Sequence, residues 1–300
     1  MRMRRRRSLT PLSAKDIAGE ALHLAGGGRA LLLQIAHPAI GRGVVEHSDF
    51  ANRIEQRLHA TMTFMYASVY ATPEEVQFVR RSVNRAHAPV RSDAREGTPG
   101  YNAFDPELQL WVAATLYQTT LMLFERVFGA VPAVDGERLY REFCAQLSVL
   151  QLRPESWPPT REDFDRYWSE SLHRLSSTEE TRAVARQILY PDAVPFWMRA
   201  LLPLARLVTV GLLPEVVRDH FELAWNERLQ SRFDRWMALT AVVYPLIPRR
   251  IRYRPRDFYL GRLRRMVRES GREPSFPPRR SSPRSRPRPG PGPRPNARPD

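Results

Sequence analysis

The sequence predicts an all-α fold, and three observations lead to this prediction. Helix start signals recur between Ser13 and about residue 270, and apolar residues repeat at helical steps of three and four. The strict two-residue alternation that marks β-hairpins is absent. About ten helices are expected, and 300 residues are enough for one large domain with a sizeable core.

Capping signals place the helix boundaries in chain order. A helix that begins near Ser13 is expected to end at the glycines 26–28. The next signals combine a side-chain N-cap with a proline or an acidic residue in the first turn. They lie at Thr72-Pro73-Glu74-Glu75, at Asp105-Pro106 with Gly129 as the closing residue, at Thr160 with Asp163, and at Ser177 or Thr178 before Glu179-Glu180.

Both ends of the chain are basic and are expected to be disordered. Residues 1–12 contain five arginines and no acidic residue, and residues 271–300 contain ten prolines and eight arginines. Segments with so little apolar surface cannot offset their ordering entropy by burial. The folded domain is therefore assigned to residues 13–270. Most of the net charge of +15 lies in the two ends, so the composition does not indicate a specific nucleic-acid-binding domain.

Targeting and membrane signals are weak. No apolar segment follows the basic start, because Lys15, Asp16 and Glu20 interrupt it, and the most hydrophobic segments are too short to span a bilayer. Cys144 is the only cysteine, so the chain has no intrachain disulfide. We expect a soluble cytoplasmic protein, with a peripheral membrane contact if its substrate is oily. The sequence leaves the oligomeric state open.

A few polar or metal-capable residues interrupt otherwise apolar helices. The segment 34–38 (QIAHP), the pair Arg57 and Thr61, and His87 are the clearest cases. Burying such groups costs several kcal/mol unless each has a partner. A cofactor such as a b-type haem would supply partners, and so would an ordinary buried polar network.

His87 is the candidate metal ligand. It follows Val76, Val79 and Val83 at helical steps, so its ring is expected to point towards the core. Pro89 ends the helix and is expected to push Ala88 out of the α region. A buried imidazole near a helix end suits axial ligation of a haem iron, although an isolated inward histidine is more often an ordinary core residue.

Arg57 and Thr61 lie one helical turn apart and are expected to share a half-buried edge. The guanidinium could bind a carboxylate such as a haem propionate, and the hydroxyl could donate to dioxygen or water. The alternative is an ion pair of Arg57 with Asp49 or Glu55, with Thr61 bonded to its own backbone. His37 and His47 lie close to this helix in sequence and either join the site or cap a turn.

Five segments, taken together, resemble the MpaB/latex-clearing-protein (rubber oxygenase catalytic domain) family. They are GGGRALLLQIAHPAIGRGVVEHSDF, RLHAT, HAPV, GYNAFDPELQLWVAATL and LLPEVVRDHFELAWNERLQSRFDRW, in that order. The resemblance covers roughly residues 13–245. It implies an all-α, globin-like domain that binds haem b and uses dioxygen to cleave carbon–carbon double bonds of isoprenoid or prenyl chains.

The resemblance also assigns roles to individual residues. His87 matches the proximal haem ligand, and Arg57 and Thr61 match the Arg-x-x-x-Thr pair beside the haem. The recurrent pocket or structural positions correspond to His37, His47 and Tyr101. Two positions depart from the family pattern: Ala60 replaces a lysine of rubber-cleaving members, and Ala113 replaces the histidine of the pattern WVHAT.

Two alternatives to a haem oxygenase remain open at this point. The departures at Ala60 and Ala113 leave room for a catalytically silent haem-binding protein of the same fold. A di-iron helical bundle would need two Glu-x-x-His pairs and two further carboxylates. The chain has two such pairs, Glu20/His23 and Glu170/His173.

Overall fold

The computed structural model describes residues 12–47, 50–94, 100–147, 152, 154–191 and 199–270; within these ranges the side chains of 50–55, 57, 147 and 154 are not described. The basic ends of the chain, predicted to be disordered, lie outside the described residues. So do Ser48 and Asp49.

The all-α prediction is confirmed, and the described residues contain fourteen α-helices rather than about ten. The additional helices are short pieces between prolines and turns. The helices are α1 (Ala14–Ala18), α2 (Gly27–Ile35), α3 (Pro38–His47), α4 (Phe50–Tyr70), α5 (Pro73–His87), α6 (Pro106–Phe128), α7 (Ala133–Leu147), α8 (Arg161–His173), α9 (Glu179–Leu189), α10 (Leu202–Leu212), α11 (Glu215–His220), α12 (Glu227–Val243), α13 (Arg249–Arg252) and α14 (Arg254–Ser270). Short 3-10 helices occupy Ala21–Gly26, Pro154–Ser156 and Tyr244–Leu246.

One small hairpin interrupts the helical pattern. Strand β1 (Arg91–Ser92) pairs antiparallel with β2 (Tyr101–Asn102), with Arg91 opposite Asn102. Strands of two residues are too short to show a two-residue alternation, so they could not be predicted from the sequence pattern. This β-hairpin lies between α5 and α6 and holds in place the backbone that follows His87.

The predicted caps are present. Thr72 accepts a hydrogen bond from the backbone N–H of Glu75, whose side chain returns one to the backbone of Thr72. The N-caps of α6, α8 and α9 are Asp105, Thr160 and Thr178. Gly129 ends α6 with φ of 91°, a conformation that favours glycine.

Two local predictions were wrong. The helix that Ser13 caps ends at Ala18, and Gly27 begins α2 instead of ending the first helix. Gly28 is needed for close packing, because a Cβ there would lie 2.6 Å from the Thr209 hydroxyl of α10. Ala88 keeps the α conformation (φ −52°, ψ −40°), because its N–H still donates to the Asn84 carbonyl and Pro89 only disfavours that conformation.

Helix α6 is the centre of the core. Twelve of its residues are buried, and it packs against α2, α12 and the 3-10 helix Ala21–Gly26. The buried Arg29 of α2 joins three helices, since it donates to the Leu212 carbonyl of α10 and to the Thr119 hydroxyl of α6. Its guanidinium lies 5.8 Å from the centre of the Trp168 ring. These bonds satisfy a charge that would otherwise be costly to bury.

Helices α4 and α5 form a helical hairpin, and only Ala71 and Thr72 separate them. They pack through Ala67 of α4 and Val79 of α5. Position 57 lies 13 residues before the end of α4 and His87 lies 14 residues after the start of α5. Both positions therefore lie at a similar distance along the chain from the link, while the packing between the two helices lies near the link.

The wholly buried His23 makes stability sensitive to acid. Its Nε2 lies 2.6 Å from the Ile17 carbonyl, and burial lowers the pKa of the ring to about 4. Between pH 6.5 and about 4 the unfolded chain binds a proton that the folded chain excludes. The free energy of unfolding therefore decreases as the pH is lowered through this range. The full loss corresponds to about 3 kcal/mol. Urea unfolding at pH 7, 5.5 and 4 should show a steeper loss for the native chain than for His23→Gln, and equal slopes would contradict this prediction.

Candidate functional site

His87 is the last residue of α5 and is half-buried. The valine face before it is directed inward as predicted, with Val79 buried and Val83 half-buried. The ring was expected to be more buried than it is, and the helix end explains the difference, because the next two residues, Ala88 and Pro89, are themselves exposed. The ring of Phe104 packs edge-on against the imidazole, with centroids 6.2 Å apart and an interplanar angle of 76°.

Thr61 lies on α4 and is exposed, so the expected half-buried edge is not found there. Leu58, one turn earlier, is 41% exposed. The backbone of Arg57 belongs to α4, but its side chain lies outside the described residues, as does that of Glu55. The roles of Arg57 and Thr61, including the ion pair weighed as an alternative, therefore stay predictions.

His47 and Tyr101 lie together beside the hairpin. Their ring centroids are 6.0 Å apart, and the Tyr101 hydroxyl donates to Glu46 Oε2 at 2.6 Å. Burial and the bond to the Glu46 carboxylate raise the pKa of Tyr101 to about 12. The Arg42 guanidinium lies 4.7 Å from the centre of the same ring and 3.6 Å from Glu46. The phenol therefore stays protonated and fastens β2 to α3.

Gly43 lets α3 approach the segment that follows His87. A Cβ at this position would lie 3.2 Å from the Tyr101 ring and 3.4 Å from Val90. Tyr101, His47 and the chain three residues after His87 are therefore brought to one side of α3. Two predicted pocket residues and the predicted ligand share a region that the sequence order alone does not join.

His37 lies at the other end of α3 from His47, about 15 Å away along the helix. Burial lowers its pKa, although the carboxylates of Asp105 and Glu107 oppose the shift. The neighbouring Gln34 donates to the Thr115 hydroxyl at 3.0 Å, and Thr115 donates in turn to the Val112 carbonyl. For Gln34 the polar-network interpretation therefore holds, and no cofactor is needed to satisfy its side chain.

The two departures from the family pattern occupy different environments. Ala113 is wholly buried in α6, whereas Ala60 is exposed on α4 beside Thr61.

The residues that sequence reasoning missed are Phe104, Glu46 and Arg42. Each gains its role from a contact across the fold: Glu46 and Tyr101 are 55 residues apart, and no local pattern joins them.

The Glu-x-x-His pairs are engaged elsewhere. The Glu20 carboxylate pairs with Arg252 at 2.5 Å, while His23 is bonded to a backbone carbonyl. Glu170 and His173 are both exposed on α8. Within the described ranges, no three or more His, Cys, Asp or Glu side chains are grouped so that they could hold a metal ion. The di-iron alternative gains no support from this arrangement.

Among the helices of the described residues, none combines the length and the apolar character needed to cross a membrane.

Comparisons with known proteins identify the family. Two relatives, an uncharacterised protein of Mycobacterium bovis and one of Mycobacterium tuberculosis, are each 30% identical over 247 residues, which is 81% of this chain and 96% of each relative. No solved structure gives a significant match. The family model described as the catalytic domain of the ER-bound oxygenase mpaB/B' and rubber oxygenase matches residues 15–242. This match spans well over half of the chain, so the chain belongs to the MpaB/rubber oxygenase catalytic-domain family.

Proposed function

We propose that the chain is a haem b-dependent oxygenase that uses dioxygen on an apolar substrate, of which an isoprenoid or prenyl chain is the expected type. The observation that carries the proposal is His87 itself, a half-buried imidazole at the end of α5 whose ring packs against Phe104. Membership of an oxygenase family supports the same reaction class.

The residues in this region fit a haem. A half-buried imidazole at a helix end offers a nitrogen donor of the kind that haem iron takes. Phe104, which is 37% exposed and packs edge-on against the imidazole, provides apolar surface that a porphyrin face would cover. An arginine at position 57 suits a carboxylate of the porphyrin edge.

When bound, the haem would supply the binding and activation of dioxygen. The chain's own residues would bind, orient and exclude water. His87 would provide the nitrogen that holds the haem iron, Arg57 would hold a propionate, and the Thr61 hydroxyl, one turn from Arg57 on α4, would donate a hydrogen bond. The Tyr101–Glu46 hydrogen bond would hold strand β2, and with it the β-hairpin that follows His87, against α3.

A catalytically silent haem-binding protein is the second candidate, and the two alanines favour it. Ala60 and Ala113 each remove a polar side chain that other family members carry. Turnover separates the two candidates. With an isoprenoid hydrocarbon such as squalene as the probe, an oxygenase consumes dioxygen and yields a product of increased mass, whereas the silent protein binds haem without consumption.

The absorption spectrum of the purified chain tests the proposal directly. Reconstitution with hemin should give a Soret band at one haem per chain, and the band should shift on reduction. A colourless protein after reconstitution would overturn the proposal. Location in the cytoplasm remains part of the proposal, and fractionation of the producing cells tests it.

A further inference from the structure

A small cavity lies between the 3-10 helix Ala21–Gly26 and helices α4, α6 and α7. Its volume is about 20 Å³, and its walls are mostly apolar, with Met62, Leu116 and Phe143 among them. Three residues of its lining each carry a buried polar atom that hydrogen-bonds to no protein group: His23 Nδ1, Tyr66 Oη and Gln146 Oε1. The three residues belong to three different elements, the 3-10 helix, α4 and α7.

The three atoms have complementary hydrogen-bonding character. Nε2 of His23 donates to the Ile17 carbonyl, which leaves a lone pair on Nδ1. Burial raises the pKa of Tyr66, so its hydroxyl keeps its proton and can donate. The Gln146 oxygen accepts. The cavity therefore presents two acceptors and one donor.

We propose that this cavity binds one water molecule, which donates to His23 and Gln146 and accepts from Tyr66. A cavity that holds a water needs roughly 10–15 Å³ and two to four polar partners, and this one meets both requirements. Dioxygen has no proton to donate to the two acceptors. An anion would face two lone pairs, and a cation would lose its hydration without meeting a counter-charge.

The Tyr66→Phe variant tests the water by the sign of its effect. If water accepts from Tyr66, removing the hydroxyl takes away a hydrogen bond and lowers the folding equilibrium constant about fivefold. If the cavity is dry, the hydroxyl is an uncompensated buried group, and its removal raises stability. Tyr140→Phe is the matched control, because the Tyr140 hydroxyl donates to the Pro158 carbonyl at 2.6 Å and its loss is destabilising in both cases.

A high-resolution crystal structure provides the direct measurement. Density for one atom within hydrogen-bond distance of all three groups supports the proposal. An empty cavity, or a Tyr66→Phe variant at least as stable as the native chain, overturns it. Stoichiometric copper in the purified protein that is lost in His23→Gln also overturns it, because the Met62 and Met65 thioethers in the lining would then be ligands of a soft metal ion.

A second inference rests on a different observation, the apolar surface at the end of α12. The side chains of this apolar tip are between 40% and 67% exposed. The opposite face of α12 is buried through Phe233 and Met237, so the helix is already seated in the fold. The apolar tip comprises Trp236, Leu239, Val242, Val243, Leu246 and Ile251.

Arginines flank the apolar tip. Arg235, Arg250 and Arg254 are exposed beside it. Residues 227–270 contain twelve arginines against four acidic residues, and three of these arginines pair with acidic residues of other segments, which still leaves an excess of positive charge. A symmetric dimer through this surface would bring the same arginines face to face, which is unfavourable. An anionic bilayer offers both an apolar interior and phosphate groups for the guanidinium side chains.

We infer that the apolar tip docks onto the surface of an anionic lipid bilayer. The aliphatic side chains insert at the boundary of the acyl chains, and the arginines bind the headgroups. The inference is independent of the haem proposal, since no residue of the apolar tip belongs to the candidate site.

Sedimentation of the full chain with vesicles tests the docking. Binding is expected to vesicles of phosphatidylcholine with phosphatidylglycerol, and to be much weaker with phosphatidylcholine alone. The triple variant Leu239→Ser, Val242→Ser, Leu246→Ser keeps every arginine and should bind at least about tenfold more weakly. Val134→Ser is the control, because Val134 is 87% exposed on α7, away from the apolar tip.

Two results would overturn the docking. Unchanged vesicle binding by the triple variant would assign the affinity to arginines elsewhere in the chain. A native dimer that the triple variant converts to a monomer, measured by light scattering, would assign the surface to a second copy of the chain.

Discussion

Replacing His87 with alanine should abolish the Soret band of the reconstituted protein, or reduce its intensity more than tenfold at equal hemin. The expected loss is large because the His87 imidazole would be the nitrogen ligand of the iron, and the Phe104 ring beside it has no nitrogen or oxygen to replace it. Titration with hemin, followed by absorbance and by the dissociation rate to a competing apoprotein, measures the effect.

His173→Ala is the control for this experiment, since His173 is exposed at the end of α8 and has no place in the candidate site. Circular dichroism should show the same helix content in both variants. If His87→Ala retained haem with an unchanged spectrum, the ligand would be another residue, and the haem site proposed at the end of α5 would be wrong. External imidazole should restore part of the spectrum if position 87 faces the iron.

Replacing Arg252 with alanine should lower the free energy of unfolding by about 3–5 kcal/mol, because it leaves a buried carboxylate without its counter-charge. The side chains of Arg252 and Glu20 are only 10% and 6% exposed, and their atoms approach to 2.5 Å. The Tyr244 hydroxyl also donates to Glu20, at 3.1 Å. Urea denaturation at pH 7 measures the change.

Arg250→Ala is the matched control, because Arg250 lies on the same short helix and is exposed. The effect of Arg252→Ala should also depend on pH. Burial raises the pKa of Glu20, and Arg252 opposes that shift, so the variant raises it further. A carboxyl whose folded pKa exceeds its unfolded value loses stability as pH rises. The deficit of the variant should therefore be larger at pH 8 than at pH 5, and a pH-independent deficit would contradict this account.

Local signals predicted most of the fold. Thr72, Asp105, Thr160 and Thr178 cap helices where the sequence placed those caps, because a cap depends only on the residues of one turn. The two-stranded hairpin and the close approach at Gly28 could not be predicted in this way. The strands of the β-hairpin are too short to show a pattern, and the approach at Gly28 depends on Thr209, which is far along the chain.

The candidate site was predictable in part, and for the same reason. The end of α5 near His87 and the inward face of this helix follow from Pro89 and from the valine spacing. The contact between His87 and Phe104 also requires the β1–β2 hairpin, which folds the chain back. The Tyr101–Glu46 bond joins two segments for which the sequence provides no common pattern. The haem, the substrate and the roles of Arg57 and Thr61 stay predictions, and the experiments above address them.

The two-residue link between α4 and α5 sets the phase of the two helices relative to each other. Each residue inserted after Ala71 would turn every following side chain of α5 by about 100° around its axis and move it by about 1.5 Å. One inserted residue would therefore rotate the imidazole away from the Phe104 ring without altering any residue near it. A length change at this corner would displace His87 as effectively as a substitution of the histidine itself.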